Sequence, residues 1–295
     1  MDGTPPFACP RTRVVLRDNL YSTEAHMAYP SVDGVPILVA DPFDHIGKSS
    51  IRRAAEADAQ HLGVPDPLTP HLPPSVFSAP TGFGAWLAAL GDAGPEAVCA
   101  DMAAAHAPEG AACDVGCGVG VMARRMLAAG RPTCAFDINL EAVFLARGML
   151  TGQLPHATIR SHAGGLRRVK VPFKPTDARL SFCVADAARP PFAAGAFAWV
   201  HLGDVLDACG DSLADVLVGS VEMLAPDGVL TLSTPYAVPS EIAEGVPPPE
   251  DELLEALAEL GLTVVAAQEH VPRVVRHYDR SFEVWFHHCV AAVRT

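Results

Sequence analysis

The stretch Asp114-Val-Gly116-Cys117-Gly118-Val-Gly120 sets three glycines at alternate positions between a strand-like run and a helix-like one. Glycines so spaced let the backbone turn tightly and approach a ligand with no Cβ in the way. The helix that follows turns its free N–H groups toward that ligand. A dinucleotide-binding turn would need G-x-G-x-x-G, whose third glycine falls here on Val121. A phosphate-cradling loop would need a Gly-Lys-Ser/Thr, and none follows. Asp137 ends a second strand, where a carboxylate can accept from both hydroxyls of a ribose. Asp186, in Val184-Ala-Asp-Ala, ends a third, where it can accept from an exocyclic amine. Each acid alone is more often just a helix cap or turn residue. Three at successive strand ends suit a ligand that is cationic and has no phosphate.

Those carboxylates need a sheet to hold them. From Ala111 the chain alternates short β-branched runs with amphipathic helices, the pattern of a parallel sheet built from βαβ units. Strands are expected at 111–115, 133–136, 180–184, 197–202 and 229–233, with late runs at 262–267 and 282–293. Helices are expected at 121–129, closed by Gly130, at 141–150, opened by Asn139, and at 213–224. The last of these carries the capping-box spacing Ser212-x-x-Asp215. A fourth, at 250–260, has its leucines on one face. Upstream, residues 1–48 form a Pro-rich arm with a strand-like run Val35–Ala40, and 49–108 read as a helical cap. Residues 109–295 form the α/β domain that carries these motifs, with an insertion at 151–182. That insertion holds six basic residues (Arg160, Arg167, Arg168, Lys170, Lys174, Arg179) against Asp177 alone, as either a solvated loop or a dock for an anionic group.

Composition removes several classes. With 49% apolar residues among 295 the chain can bury a sizeable core. No run reaches the length a membrane span requires. The start, MDGTPPFACP, lacks the basic and apolar regions of a signal peptide. A net charge of −13 argues against a nucleic-acid partner, since phosphate contacts need clustered Lys and Arg. Eight cysteines without any Cys-x-x-Cys are expected to be reduced. The expectation is a cytoplasmic protein with no membrane partner, and a homodimer is left open.

In order and spacing these motifs resemble those of the class I S-adenosylmethionine-dependent methyltransferases over residues 108–295. Asp114–Gly120 resembles the first motif of that family, Phe136-Asp-Ile-Asn its ribose-binding acid and Val184-Ala-Asp-Ala its adenine-side motif. Ala196–Asp207 resembles the fourth-strand motif, and Leu224–Tyr236 the strand entry that follows, with Asp227 where the family often has glycine. The resemblance implies a Rossmann-like seven-stranded sheet with helices on both faces. It also implies S-adenosyl-L-methionine as cofactor, held by Asp114, Gly116, Cys117, Gly118, Gly120, Asp137, Ile138, Asp186, Ala187, His201 and Leu202. The methyl group would pass by in-line displacement to a small-molecule acceptor.

Two shorter likenesses add detail. Tyr29–Ala40 is similar to the closing segment of a small zinc-ribbon family often fused to or partnered with methyltransferases. Only Cys9-Pro survives of that family's metal cysteines, so the arm is expected to be degenerate and to hold no zinc. The tail from Ser233 resembles the methyltransferase domain of ovothiol synthesis, and more loosely carnosine-type methyltransferases, which methylate an imidazole nitrogen. By position, Asp204 and Tyr236 are the catalytic candidates, and Asp207, Arg273 and Tyr278 the substrate-binding ones. His287 and His288 are consecutive, so on a strand they face opposite ways; no metal site is expected. Two other readings stand beside methyl transfer: intramolecular displacement on the same cofactor, and a non-catalytic subunit that binds it for a partner.

Overall fold

The computed structural model describes residues 3–50, 83–154, 156–160, 166–170, 179–237, 250–278 and 281–294. Residues 51–82, the larger part of the expected helical cap, lie outside them. Strands are β1 (Tyr21–Ser22), β2 (Met27–Ala28), β3 (Ser31–Val32), β4 (Val35–Leu38), β5 (Ala112–Val115), β6 (Thr133–Asp137) and β7 (His156–Arg160). They continue with β8 (Leu166–Lys170), β9 (Leu180–Ala185), β10 (Phe197–Gly203), β11 (Leu224–Thr234), β12 (Leu262–Tyr278) and β13 (Ser281–Arg294). Helices are α1 (Phe83–Asp92), α2 (Pro95–His106), α3 (Val121–Ala128), α4 (Leu140–Leu150), α5 (Leu213–Met223) and α6 (Glu250–Glu259).

The main sheet has the order β12-β13-β11-β10-β5-β6-β9-β4-β3. Seven of these strands, β12 through β9 in that order, are the expected Rossmann-like sheet. β5, β6, β9, β10 and β11 run parallel, while β13 returns antiparallel to β11. The arm adds the other two: Ile37 and Leu38 pair in parallel with Val184 and Ala185 of β9. β9 is therefore an interior strand, and its apolar run Phe182–Ala185 is buried on both faces as parallel strands require.

Core packing follows from that burial. One cluster joins Leu38, Val115, Phe136, Phe192, Phe197 and Leu202 with the α5 and α6 faces. The opposite face carries Ile37, Ala135, Val143, Leu150 and Val184. A third cluster sets Cys99 and Ala103 of α2 against Met122, Met126, Trp199 and Cys289. Thus α2, expected in the cap, packs on the sheet as one of its covering helices. Asn139 caps α4, its side chain accepting from the N–H groups of Glu141 and Ala142. Ser212, expected to cap α5, makes no such bond. A 3-10 turn at Gly210–Ser212 leads into α5, so Ser212 lacks the extended backbone that aims a capping oxygen at the first turn. In the basic insertion, β7 and β8 form an antiparallel ribbon of their own. Pro226-Asp-Gly228 lies inside β11 as a bulge, with Asp227 at φ 59°. All eight cysteines are free thiols.

Candidate active site

The parallel strands deliver their carboxyl ends to one edge, where a cavity of about 500 Å³ opens. It is lined by Asp114, Gly116, Cys117, Gly118, Asp137, Ile138, Asp186 and Ala187, and by His201, Asp204 and Arg273. Most of the expected cofactor residues share this wall. Gly120 and Leu202 stand behind it, Gly120 at the start of α3 and Leu202 in the core.

The glycines serve distinct needs. Gly116 has φ +67°, and a Cβ there would overlap Val205 Cγ2, so turn and cavity wall pack directly. Gly118, at φ +49°, faces open space where a Cβ would stand. Gly120, at φ +80°, starts α3 and lies where a Cβ would meet Leu150 Cδ1 at 2.9 Å.

The three strand-end acids are fixed by backbone donors. Ala123 N–H donates to Asp114 Oδ2 at 2.9 Å. Asp137 accepts from Gly118 N–H at Oδ2 (2.9 Å) and from Asn139 N–H at Oδ1 (2.8 Å). Asp186 Oδ1 accepts from Ala188 N–H at 3.0 Å. Burial pushes the Asp114 carboxyl up to about 8, against its bond from Ala123 and with help from the charges of Glu96 and Asp137.

A second group meets at the other side of the cavity. Asp204, at φ +55°, is ion-paired with Arg273, which also reaches Glu96 Oε1 at 3.8 Å. His287 Nδ1 lies 3.2 Å from Asp204 Oδ1, yet neither atom has an aligned hydrogen bond among the described residues. His201 lies beside them. Trp199 Nε1–H donates to Thr231 Oγ1 at 2.8 Å, and Thr231 Oγ1 stands 3.0 Å from His201 Nδ1. Burial pushes both His201 and His287 down to about 4, so both are neutral at pH 7. We assign the Thr231 hydroxyl proton to His201 Nδ1, which leaves the ring's own proton on Nε2. That buried nitrogen, on a ring lining the cavity, has no hydrogen-bond partner among the described residues. Glu96 is the residue that sequence reasoning passed over. Burial drives its carboxyl up, but Arg273, the backbone N–H and the nearby histidines outweigh it, and the net shift is down. Its one signal was an acid in the first turn of a largely apolar helix that also carries Asp101 and His106.

Not every candidate reaches the cavity. Asp207 does not line it; its carboxylate accepts the Thr234 hydroxyl at 2.9 Å. Tyr236 does not line it either: its hydroxyl stands 2.8 Å from His288 Nδ1, on the other face of β13 from His287. Tyr278 lies at the far end of β12, five positions beyond Arg273.

The donor set fits a sulfonium nucleoside. Five carboxyl groups face one guanidinium, Gly118 leaves a cradle, and Ile138, half exposed on the wall, offers a flat apolar contact. Doubly wound sheet, glycine turn and ordered strand-end acids together define a class I S-adenosylmethionine-dependent methyltransferase. Residues 94–288 match the family model described as a methyltransferase domain, and the chain belongs to that family.

No curated protein sequence matches the chain. Among solved structures, similar ones include the magnesium protoporphyrin IX methyltransferase of Synechocystis PCC 6803 with bound S-adenosylhomocysteine. That likeness has 16% identity and a TM-score of 0.48, over 74% of this chain and 89% of that one. A second is the methyltransferase in complex with the Trm112 methyltransferase activator of Haloferax volcanii, at 18% identity and TM-score 0.46, over 72% and 95%. A third is the N-methyltransferase NodS of Bradyrhizobium japonicum WM9, at 16% and 0.44, over 71% and 93%.

Two outcomes follow from this geometry. Asp137→Ala should weaken binding of S-adenosylmethionine by about 2–3 kcal/mol, the scale of hydrogen bonds to a charged group. Unchanged calorimetric affinity would remove Asp137 from the ribose. The second concerns protons. A cationic ligand beside Asp114 favours its ionised form, so binding at pH 7 releases a proton. Affinity should then rise as pH climbs from 5.5 to 7, by up to about tenfold per unit. Stability of the free chain runs the other way. The folded state holds this proton up to about 8 and the unfolded state loses it near 3.8, the ordinary range for an aspartate, so stability falls as pH rises between them. Titrations in buffers of different ionisation enthalpy check the release, and a binding enthalpy independent of buffer refutes it.

Proposed function

We propose that the chain transfers the methyl group of S-adenosylmethionine to a nitrogen, an imidazole or amine, of a small amino-acid derivative. The observation that carries this is Asp204 Oδ1, a buried acceptor on the cavity wall with no aligned hydrogen bond, beside neutral His287 and cationic Arg273. When bound, the cofactor supplies an electrophilic methyl on a sulfonium, already an excellent leaving group. The chain's task is positioning, exclusion of water and care of one proton. The strand-end acids Asp114, Asp137 and Asp186 would hold the cofactor. Asp204 would accept an N–H from the acceptor, aim its lone pair and receive the proton as the nitrogen becomes alkylated. Arg273 keeps donors beyond those spent on Asp204 and Glu96, and a guanidinium fork suits an acceptor carboxylate. Tyr236, expected in a catalytic role, is engaged with His288 instead. The free state of all eight thiols supports placing the enzyme in the cytoplasm.

The test is turnover with imidazole- and amine-bearing amino-acid derivatives, followed by S-adenosylhomocysteine formation. Asp204→Asn should lower kcat about 10²-fold or more, the scale of a lost general base, with cofactor affinity unchanged. Acceptor-independent release of methylthioadenosine would assign the site to intramolecular displacement. Equal losses in turnover and cofactor affinity would remove Asp204 from the acceptor.

A further inference from the structure

On the face of β13 opposite the cavity cluster, three side chains from three elements converge. His288 Nε2 lies 3.1 Å from Glu269 Oε1 and 3.8 Å from Glu250 Oε1, and the three donor atoms lie within 4.8 Å of one another. Glu250 opens α6. Glu269 projects from a bulge in β12 between Gln268 and Val271, where His270 takes φ +58°. His288 is buried, its side chain 1% exposed, while the carboxylates are half exposed. We propose that Glu250, Glu269 and His288 bind a divalent first-row transition ion, zinc in the first instance, separate from the methyl-transfer cavity.

Three observations carry this. His288 Nε2 makes no aligned hydrogen bond although two carboxylates surround it, so the carboxylates stand off the axis of its lone pair. A hydrogen bond wants its oxygen on that axis. Oxygens sharing a tetrahedral ion with the nitrogen stand roughly 35° off it, with donors about 3.3 Å apart for bonds near 2.0–2.1 Å. The observed separations of 3.1 and 3.8 Å bracket that value. Secondly, two carboxylates facing one imidazole repel each other, and the ring has a single proton to give on that side. A dication satisfies all three. Thirdly, Tyr236 Oη stands 2.8 Å from Nδ1, so the ring can donate there and keep Nε2 free for the ion. Such an outer partner fixes the tautomer of a metal-bound histidine. One imidazole and two carboxylates suit zinc and its first-row neighbours rather than calcium or magnesium. Among the described residues nothing covers the exposed side, which leaves a coordination position there, and the ion would tie the start of α6 to the bulge of β12 and to β13.

The experiment is equilibrium dialysis of the full chain against zinc alone, read by elemental analysis, with cobalt substitution read by absorption. One ion per chain is expected, with cobalt showing d–d bands and no thiolate charge-transfer band. Glu269→Gln, at an exposed position that leaves the core intact, should lose the stoichiometric ion. Tyr236→Phe should weaken zinc by about 10–100-fold, the scale of removing a partner of a bound histidine. Thermal unfolding should move upward with zinc in the native chain and not in Glu269→Gln. Equal zinc content in native chain and Glu269→Gln, a thiolate band with cobalt, or no bound ion at all would each overturn the proposal.

Discussion

A chain lacking residues 1–40 should fail to reach a cooperatively folded state. The arm contributes to both main core clusters at once, because Ile37 and Leu38 alternate across the sheet. Leu16, Tyr29, Val35, Ile37 and Leu38 are all buried in it. At about 1.5–3 kcal/mol for each such side chain, their loss rivals a whole-domain stability of about 5–15 kcal/mol. The cut also leaves Val184 and Ala185 without their parallel partners and uncovers an apolar edge that invites association. The arm is anchored at a second place, where Ala8 N–H donates to Pro191 O at 2.7 Å and the Phe7 ring packs at a tilt against Phe192. Circular dichroism and size-exclusion of the truncated chain check this. A monomer with the full chain's thermal midpoint would show the arm to be an accessory.

Gly116→Val should abolish measurable cofactor binding. Two costs coincide: a β-branched residue forced to φ +67°, and a side chain driven into Val205, itself on the cavity wall. Strained backbone alone costs about 1–3 kcal/mol. Relief of the overlap must displace the turn or Val205, and either moves the surface the ligand would touch. We expect more than a 10²-fold loss in affinity, about 3 kcal/mol. Gly130→Ala supplies the contrast. It sits at φ +80° with nothing within 4 Å of a Cβ, so it carries strain without overlap. It should lower the thermal midpoint and leave affinity intact. If both variants bind as the native chain does, close packing at Gly116 is not what shapes the cavity.

The order of strand-end acids was readable because each stands at the end of a short apolar run with a turn behind it, so Asp114, Asp137 and Asp186 come to one edge. Glu96 escaped notice because it reaches the cavity from a helix upstream of the first motif, and only packing of Cys99 and Ala103 on the sheet brings it there. His287 and His288 were rightly separated onto two faces, yet each meets carboxylates distant in sequence. His287 finds Asp204, and His288 finds Glu250 and Glu269. Glu269 is aimed by a bulge, and no local periodicity announces a bulge. The capping role of Ser212 failed for a related reason. Two short 3-10 turns, set by tertiary packing, replaced the extended lead-in that the spacing implied.

The pairing of Ile37 with Val184 has a temporal side. Nearly 150 residues separate the partners, so at 5–20 residues per second the ribosome takes roughly 7–30 s to deliver the second after the first. Throughout that interval β4 has only its hairpin partner β3 to pair with, and the edge that β9 will cover stays open. Collapse of the nascent chain must wait for β9, and the segment is exposed to chaperones for as long.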